Sequence, residues 1–236
     1  MFARLRVNAF DGCQVIDVRA LVVACLDVGS ATNTGWAVLS DGRLLTGTDI
    51  ETFAVKLVEE LRIGRSIALG FECPLYVPVR ANPADLLQQR EGERGRPWSA
   101  SAGATALVAG LAQIRWLMSK LNQGYSTLRG TTRWSQLICG ESQLFLWEAF
   151  VSSEGEPSAA PAAILDRSVH EQDAAIAVAV FFERVREHAV PVSDLIDERA
   201  LSLAGLQLIA AQLTEDVSLL NESCIVVKVA KPRRAS

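Results

Sequence analysis

Acidic residues close several apolar segments of this chain, and carboxylates in such positions could hold divalent cations. Asp27 ends the run "LVVACL", Glu72 follows "SIALGF", and Glu148 interrupts "LFLWEAF". His170 and Asp173 open a further segment that continues in alanines and valines. Carboxylate oxygens are hard ligands, so acids brought together from these segments would suit Mg²⁺ or Mn²⁺.

The chemistry that such a cluster predicts is hydrolysis of a phosphodiester. Converging carboxylates raise one another's pKa values strongly unless cations lie between them. Two such ions, about 4 Å apart, can activate a water and stabilise the leaving oxygen. Asp27 is then expected to bridge the ions, and Gly29 just beyond it would let substrate or metal approach closely.

Each of these residues also has an ordinary structural explanation. Asp27 could form a turn after a strand, and Glu72 could be a surface acid at a strand end. Asp173 could interact favourably with the dipole at a helix N-terminus. His170 could be a residue of the first helical turn without a chemical role, or it could bind metal or transfer a proton. Glu148 could be an outer acid near the site or a simple strand end. We favour catalytic roles for Asp27, Glu72 and Asp173. His170 and Glu148 complete the candidate catalytic set.

A polar segment between residues 74 and 100 carries the candidates for substrate binding. Arginine can bind phosphate through two parallel hydrogen bonds. A tryptophan beside it could stack on a base. The same residues could equally form a solvated loop that the tryptophan anchors to the core. The candidates are Arg80, Arg90, Arg94, Arg96 and Trp98.

The elements that must position these groups alternate between strands and helices. The order is three strands, helix, strand, helix, strand and helix, followed by a further helix and the strand "CIVVKV". Strands joined through a helix pair in parallel, which indicates an α/β domain. Ser168 and Glu171 form a capping box that predicts a helix start at Val169, with His170 and Asp173 sharing a face.

Composition limits the classes of function. Half of the 236 residues are hydrophobic, and no apolar run is long enough to span a membrane. Charged residues interrupt the first twenty positions, which is not typical of a signal peptide. The five cysteines lack a C-x-x-C pair, so we expect reduced thiols and a cytoplasmic location. A net charge of −4 gives no general attraction to nucleic acid, which local arginines and cations would have to hold.

The segments "CLDVGSATNTGWAVL", "LGFECPL", "LFLWEAF" and "HEQDAAIAVA", taken in order, resemble the RNase H-like nuclease superfamily. Within it the chain is similar to the RuvC-type branch and to an uncharacterised family of predicted RNase H-like nucleases. Members carry an Asp and a Gly after the first strand, matched by Asp27 and Gly29, and a Glu after the fourth, matched by Glu72. They end with an acid or His three residues before an Asp at a helix start, matched by His170 and Asp173.

This resemblance implies an α/β fold with an RNase H-like mixed five-stranded sheet flanked by helices. It also implies a nuclease that cuts DNA or RNA with two Mg²⁺ or Mn²⁺ ions, held by Asp27, Glu72, Asp173 and His170. The expected organisation is an N-terminal extension at 1–20, the RNase H-like domain at 21–190, and a C-terminal helix and strand at 191–236 packed on the same domain. A homodimer formed through the C-terminal helix, as in the RuvC type, is a further expectation.

Two other classes of function remain open. A binding or scaffold module could keep the fold with weak or lost chemistry, which the His in place of an acid and the pI of about 5.3 would suit. An actin-like ATPase or sugar kinase shares the fold and a similar D-x-G strand. Such proteins need two domains of this kind to enclose a nucleotide, and this chain has room for one and lacks a glycine-rich phosphate loop.

Overall fold

A mixed β-sheet forms the centre of the protein. The structure is a computed structural model and describes residues 16–17, 20–30, 33–93, 97–152, 164, 166–188, 190–195 and 199–230. The strands are β1 (Val22–Asp27), β2 (Gly35–Ser40), β3 (Arg43–Gly47), β4 (Ile67–Phe71), β5 (Tyr76–Pro78), β6 (Gly130–Thr131), β7 (Leu144–Ser152), β8 (Ala200–Ser202) and β9 (Val226–Ala230). The α-helices are α1 (Ile50–Arg62), α2 (Ser101–Gly124), α3 (Trp134–Ile138), α4 (Val169–His188) and α5 (Leu203–Ala210).

The order of the main sheet is β3-β2-β1-β4-β7-β6, and β9 pairs with β7 beside this path. The first three strands are antiparallel, whereas β1, β4 and β7 are mutually parallel, as the intervening helices predict. The α/β class is therefore confirmed.

The sheet has seven strands rather than the expected five, because β6 and β9 both extend the edge formed by β7. β7 is nine residues long and buried throughout. β6 pairs with its first two residues, whereas β9 pairs with its second half. The C-terminal strand is thus part of the central sheet.

Alternating residues of the strands build a separate apolar core on each face of the sheet. On one face, Val22, Ala24 and Leu26 pack with residues of α1, α2 and α5. On the other, Val23 and Cys25 pack with residues of α3 and α4. Because side chains alternate along a strand, the residue that follows Leu26 belongs to the α4 face.

The start of α4 is fixed by the capping box that the sequence predicts. The Glu171 Oε2 atom accepts hydrogen bonds from the backbone N–H of Ser168 at 3.1 Å and from its hydroxyl at 2.8 Å. Glu171 Oε1 accepts a hydrogen bond from the Thr46 hydroxyl of β3 at 2.9 Å. Partial burial would raise the pKa of Glu171, but the hydrogen bonds from Ser168 and Thr46 lower it below its usual value. Glu171 therefore ties the start of α4 to the sheet, and its carboxylate is engaged in the capping box.

The cysteines differ in part from the expectation. Cys25, Cys73 and Cys224 are buried free thiols, and burial raises the pKa of each. Cys139 is disulfide-bonded, so the expectation of reduced thiols is wrong for this residue. Disulfides are rare in cytosolic proteins, so this residue does not support the argument from reduced thiols to a cytoplasmic location. That location stays a prediction. Within the described ranges, no helix is both long and apolar enough to cross a membrane.

At Gly35 the first turn of α4 lies directly against the backbone of β2. A Cβ atom at Gly35 would lie 2.2 Å from the carbonyl carbon of His170 and 2.4 Å from the backbone nitrogen of Glu171. Gly35 is also the register partner of Asp27 in the β1–β2 pair. The absence of a side chain here lets the first turn of α4 lie directly beside the end of β1.

We predict that Gly35→Ala lowers the free energy of unfolding by about 1 to 3 kcal/mol, the usual cost of overpacking. The added methyl must push the backbone of α4 away from β2. Urea denaturation measures the loss, with Gly64→Ala as the control. That methyl enters open space at a φ of +83°, so only about 1 kcal/mol of backbone strain is expected. An equal loss in both variants would contradict the close-packing argument.

Candidate metal centre

Asp27 and Glu72 lie side by side because β1 and β4 are adjacent parallel strands. Leu26 is in register with Phe71, and the backbone N–H of Glu72 donates to the carbonyl of Leu26 at 2.9 Å. Both carboxylates therefore leave the sheet at the carboxyl ends of neighbouring strands. In α/β sheets this is the edge at which ligands bind.

Asp173 joins these two acids from the first turns of α4. One carboxylate oxygen from each of Asp27, Glu72 and Asp173 lies within 4.8 Å of the others. Asp27 is only 6% exposed and Asp173 only 5%, while Glu72 is half-buried. The structure thus brings together the three acids that the sequence singles out as metal ligands.

His170 contacts this cluster directly. Its Nδ1 atom lies 2.6 Å from Oδ2 of Asp27, so the imidazole and the carboxylate share a hydrogen bond. The side chain of His170 is 37% exposed, whereas that of Asp27 is 8% exposed. His170 therefore links the buried acid to the part of the site that solvent can reach.

The electrostatics of Asp27 favour a cation at this place. Burial raises the pKa of its carboxyl group, and the charge of Asp173 raises it further. Hydrogen bonds with His170 and Glu72 and the charge of His170 act in the opposite direction, but the pKa stays above its usual value. A divalent ion beside the carboxylates would reverse this balance, because an opposite charge favours the ionised form.

The donor set fits Mg²⁺ or Mn²⁺. Octahedral ions of this kind bind oxygens at about 2.1 Å, which places ligand oxygens about 3 to 4 Å apart. The three oxygens lie within 4.8 Å of one another, a spacing close to that of ligands around one ion. The expectation of a second ion, and of Asp27 as the bridge between two, remains a prediction.

Glu148 does not join the three acids, so the structure gives no support to the expectation that it is catalytic. Arg90 binds it bidentately, with Nη1 2.8 Å from Oε2 and Nη2 2.6 Å from Oε1. The backbone N–H of Leu75 also donates to Oε2 at 2.9 Å. Glu148 lies between Leu146 and Phe150, which face the core formed with α1, α2 and α5. Its side chain therefore leaves the sheet on the face opposite α4.

Arg90 is equally unsuited to its predicted contact with phosphate. Its side chain is 0% exposed and lies between the carboxylates of Glu148 and Glu93. Burial alone would lower the pKa of Arg90, but the charge and hydrogen bonds of Glu148 and the charge of Glu93 raise it. The guanidinium is a buried structural group.

The other substrate-binding candidates have mixed outcomes. Trp98 donates its indole N–H to the carbonyl of Gln88 at 3.1 Å, which supports the loop-anchor alternative over base stacking. Arg80 is half-buried and donates to the carbonyl of Gln89 at 3.3 Å, and its contact with substrate remains a prediction. Arg94 and Arg96 lie outside the described residues.

The reason for a glycine at position 29 differs from the expectation that it leaves room for substrate or metal. At Gly29 the space that a Cβ would fill is taken by the carbonyl oxygen of Asn33, 1.9 Å away, and not by a ligand. Gln113 of α2 donates its side-chain amide to the carbonyl of Gly29 and so supports the same turn. Sequence reasoning missed Gln113, because nothing in a helical glutamine signals a contact with a distant turn.

Comparisons with models of protein families, with curated proteins and with solved structures return no match for this chain. The argument for a function therefore depends on the fold and on the geometry of the acidic site.

We predict that Asp27→Asn stabilises the protein at neutral pH when a chelator keeps it free of metal. The folded state holds the Asp27 proton more tightly than the unfolded chain does, so ionisation costs stability. The cost is absent below about pH 4, grows as the pH rises through the elevated pKa, and is then constant. A gain in the free energy of unfolding at pH 7.5 that vanishes near pH 4, measured by urea denaturation, is expected. A gain independent of pH would contradict this explanation.

Proposed function

We propose that the protein is a divalent-metal-dependent nuclease that hydrolyses phosphodiester bonds of nucleic acid. The observation that carries the proposal is the convergence of the Asp27, Glu72 and Asp173 carboxylates within 4.8 Å at the carboxyl edge of the sheet. The order of the motifs, which resembles that of RNase H-like nucleases, supports phosphodiesters as the substrate among other hydrolyses that use metal. Whether the nucleic acid is DNA or RNA is for experiment.

In this proposal the three carboxylates hold Mg²⁺ or Mn²⁺, which supplies an activated water and neutralises charge on the scissile phosphate. Asp27 and Asp173 are buried and rigidly mounted on β1 and α4, so they fix the position of the site. Glu72 is more exposed and lies where the chain leaves β4. The close placement of these groups is what orients the reacting atoms.

His170 is proposed to assist proton transfer. Its Nδ1 is engaged by Asp27 at 2.6 Å, which fixes the orientation of the ring. The exposed part of the ring can then exchange a proton with the attacking water or the leaving group. This role is preferred over that of a fourth metal ligand because the group of ligand atoms within 4.8 Å of one another comprises Asp27, Glu72 and Asp173 and does not include His170.

We predict that Asp27→Asn and Asp173→Asn each lower Mg²⁺-dependent cleavage by about a thousandfold. Loss of a ligand removes several kcal/mol of charge stabilisation, and each 1.4 kcal/mol is about tenfold in rate. Branched, single-stranded and hybrid substrates are assayed with Mg²⁺ or Mn²⁺, and Glu141→Gln is the control because Glu141 is an exposed acid. Undiminished cleavage in the Asp variants would overturn the proposal. Binding of Mn²⁺ and nucleic acid without cleavage by the parent would favour the scaffold alternative.

We predict that His170→Gln lowers kcat by about a hundredfold or more while the Kd for Mn²⁺ stays within about threefold of the parent value. Proton transfer by a positioned side chain typically contributes this much, and glutamine can still hydrogen-bond to Asp27. Cleavage kinetics and calorimetric titration of Mn²⁺ measure the two quantities separately. A parallel loss of Mn²⁺ affinity would instead identify His170 as a metal ligand.

A further inference from the structure

The buried ion triad of Arg90, Glu93 and Glu148 lies against the segment that carries Glu72. All three side chains are at most 1% exposed. The Arg90 guanidinium binds Glu148 through two hydrogen bonds and Glu93 through two more, and the backbone N–H of Arg90 also donates to Glu93. A cavity of about 50 Å³ is lined by Glu72, Glu93 and Glu148 together.

Glu148 holds the chain on both sides of Glu72. Its backbone is in register with Phe71, the residue before Glu72. Its carboxylate accepts the backbone N–H of Leu75 at 2.9 Å, three residues after Glu72. The short segment from Glu72 to Pro74 is therefore fixed at one end by the sheet and at the other by this carboxylate.

Arg90 in turn fixes the carboxylate. Bidentate pairing with a planar guanidinium leaves Glu148 one orientation. The guanidinium carbon lies 4.6 Å from the centre of the Tyr76 ring, which closes the other side of the triad. The long segment that contains Arg90 is thereby tied to the strand end that delivers a metal ligand.

We infer that Glu148 and Arg90 are positioning residues for Glu72 in the metal centre. The inference rests on the proposed function, because it assumes that Asp27, Glu72 and Asp173 bind a divalent cation. Groups that orient metal ligands typically contribute about 10- to 100-fold in metal affinity. Glu148 and Arg90 touch neither the metal nor the substrate and act only through the placement of Glu72.

The test is calorimetric titration of the full chain with Mn²⁺. Glu148→Gln should raise the Kd about tenfold or more, because a neutral amide accepts the Leu75 N–H less strongly and is no longer held in one orientation by Arg90. Arg90→Lys keeps the charge of the triad but loses bidentate pairing, and it should also raise the Kd. An effect of charge alone would leave Arg90→Lys unchanged.

Glu93→Gln is the matched control. Glu93 is a buried carboxylate on the same guanidinium and lines the same cavity. In the described contacts it does not reach Leu75, so its loss should change the Kd by no more than about threefold. Equal effects of Glu93→Gln and Glu148→Gln, or a Kd for Glu148→Gln within twofold of the parent value, would overturn the inference. A parent chain that binds no Mn²⁺ would overturn the proposed function as well.

A second measurement uses the unaltered protein, so it does not depend on whether a variant folds. If the contact between Glu148 and Leu75 promotes metal binding, metal binding must stabilise that contact by the same factor. Saturating Mg²⁺ should slow hydrogen exchange of the Leu75 amide more than that of Gly130. The Gly130 amide donates to Leu213 and belongs to β6, at the other end of β7. Equal slowing at both amides would contradict a positioning role.

Discussion

The constraint on which the site depends is the forced proximity of like charges. Two parallel strands end side by side and one helix begins above them, and each delivers a carboxylate to the same small volume. Such an arrangement is unfavourable in the folded protein unless something positive enters it. The capping box, the contact at Gly35 and the apolar core beneath α4 hold the helix where this repulsion would otherwise displace it.

The protein places buried carboxylates close together in two places, the Arg90 triad and the acid cluster, and their charges are balanced differently in each. In the triad, an internal guanidinium pairs with the carboxylates of both Glu93 and Glu148 and offsets part of their charge. In the acid cluster, the partners within the described chain leave the pKa of Asp27 elevated, and a cation from solution would favour its ionised form. The first arrangement is suited to fixing the backbone, whereas the second is suited to a reversible ligand.

Sequence reasoning succeeded where the local signal and the three-dimensional role coincide. Asp27 and Glu72 end apolar strands, and the capping box at Ser168 sets the turn that presents Asp173. It did not predict that Glu148 points away from the acid cluster, because a strand buried on both faces shows no alternation from which the direction of a side chain can be read. It failed for Arg90 because Glu148, one of the two carboxylates that pair with it, lies 58 residues away in the chain. A polar segment with several arginines gives no sign that one of them is buried.

The position of β9 has a consequence for how the chain acquires its structure during synthesis. β9 is the last described strand and pairs with the second half of β7, a strand that is buried throughout. Until β9 has left the ribosome, that half of β7 presents unpaired backbone groups along an apolar edge, which is a site for association between nascent chains. We therefore expect truncations before β9 to aggregate even when every residue of the acid cluster is present.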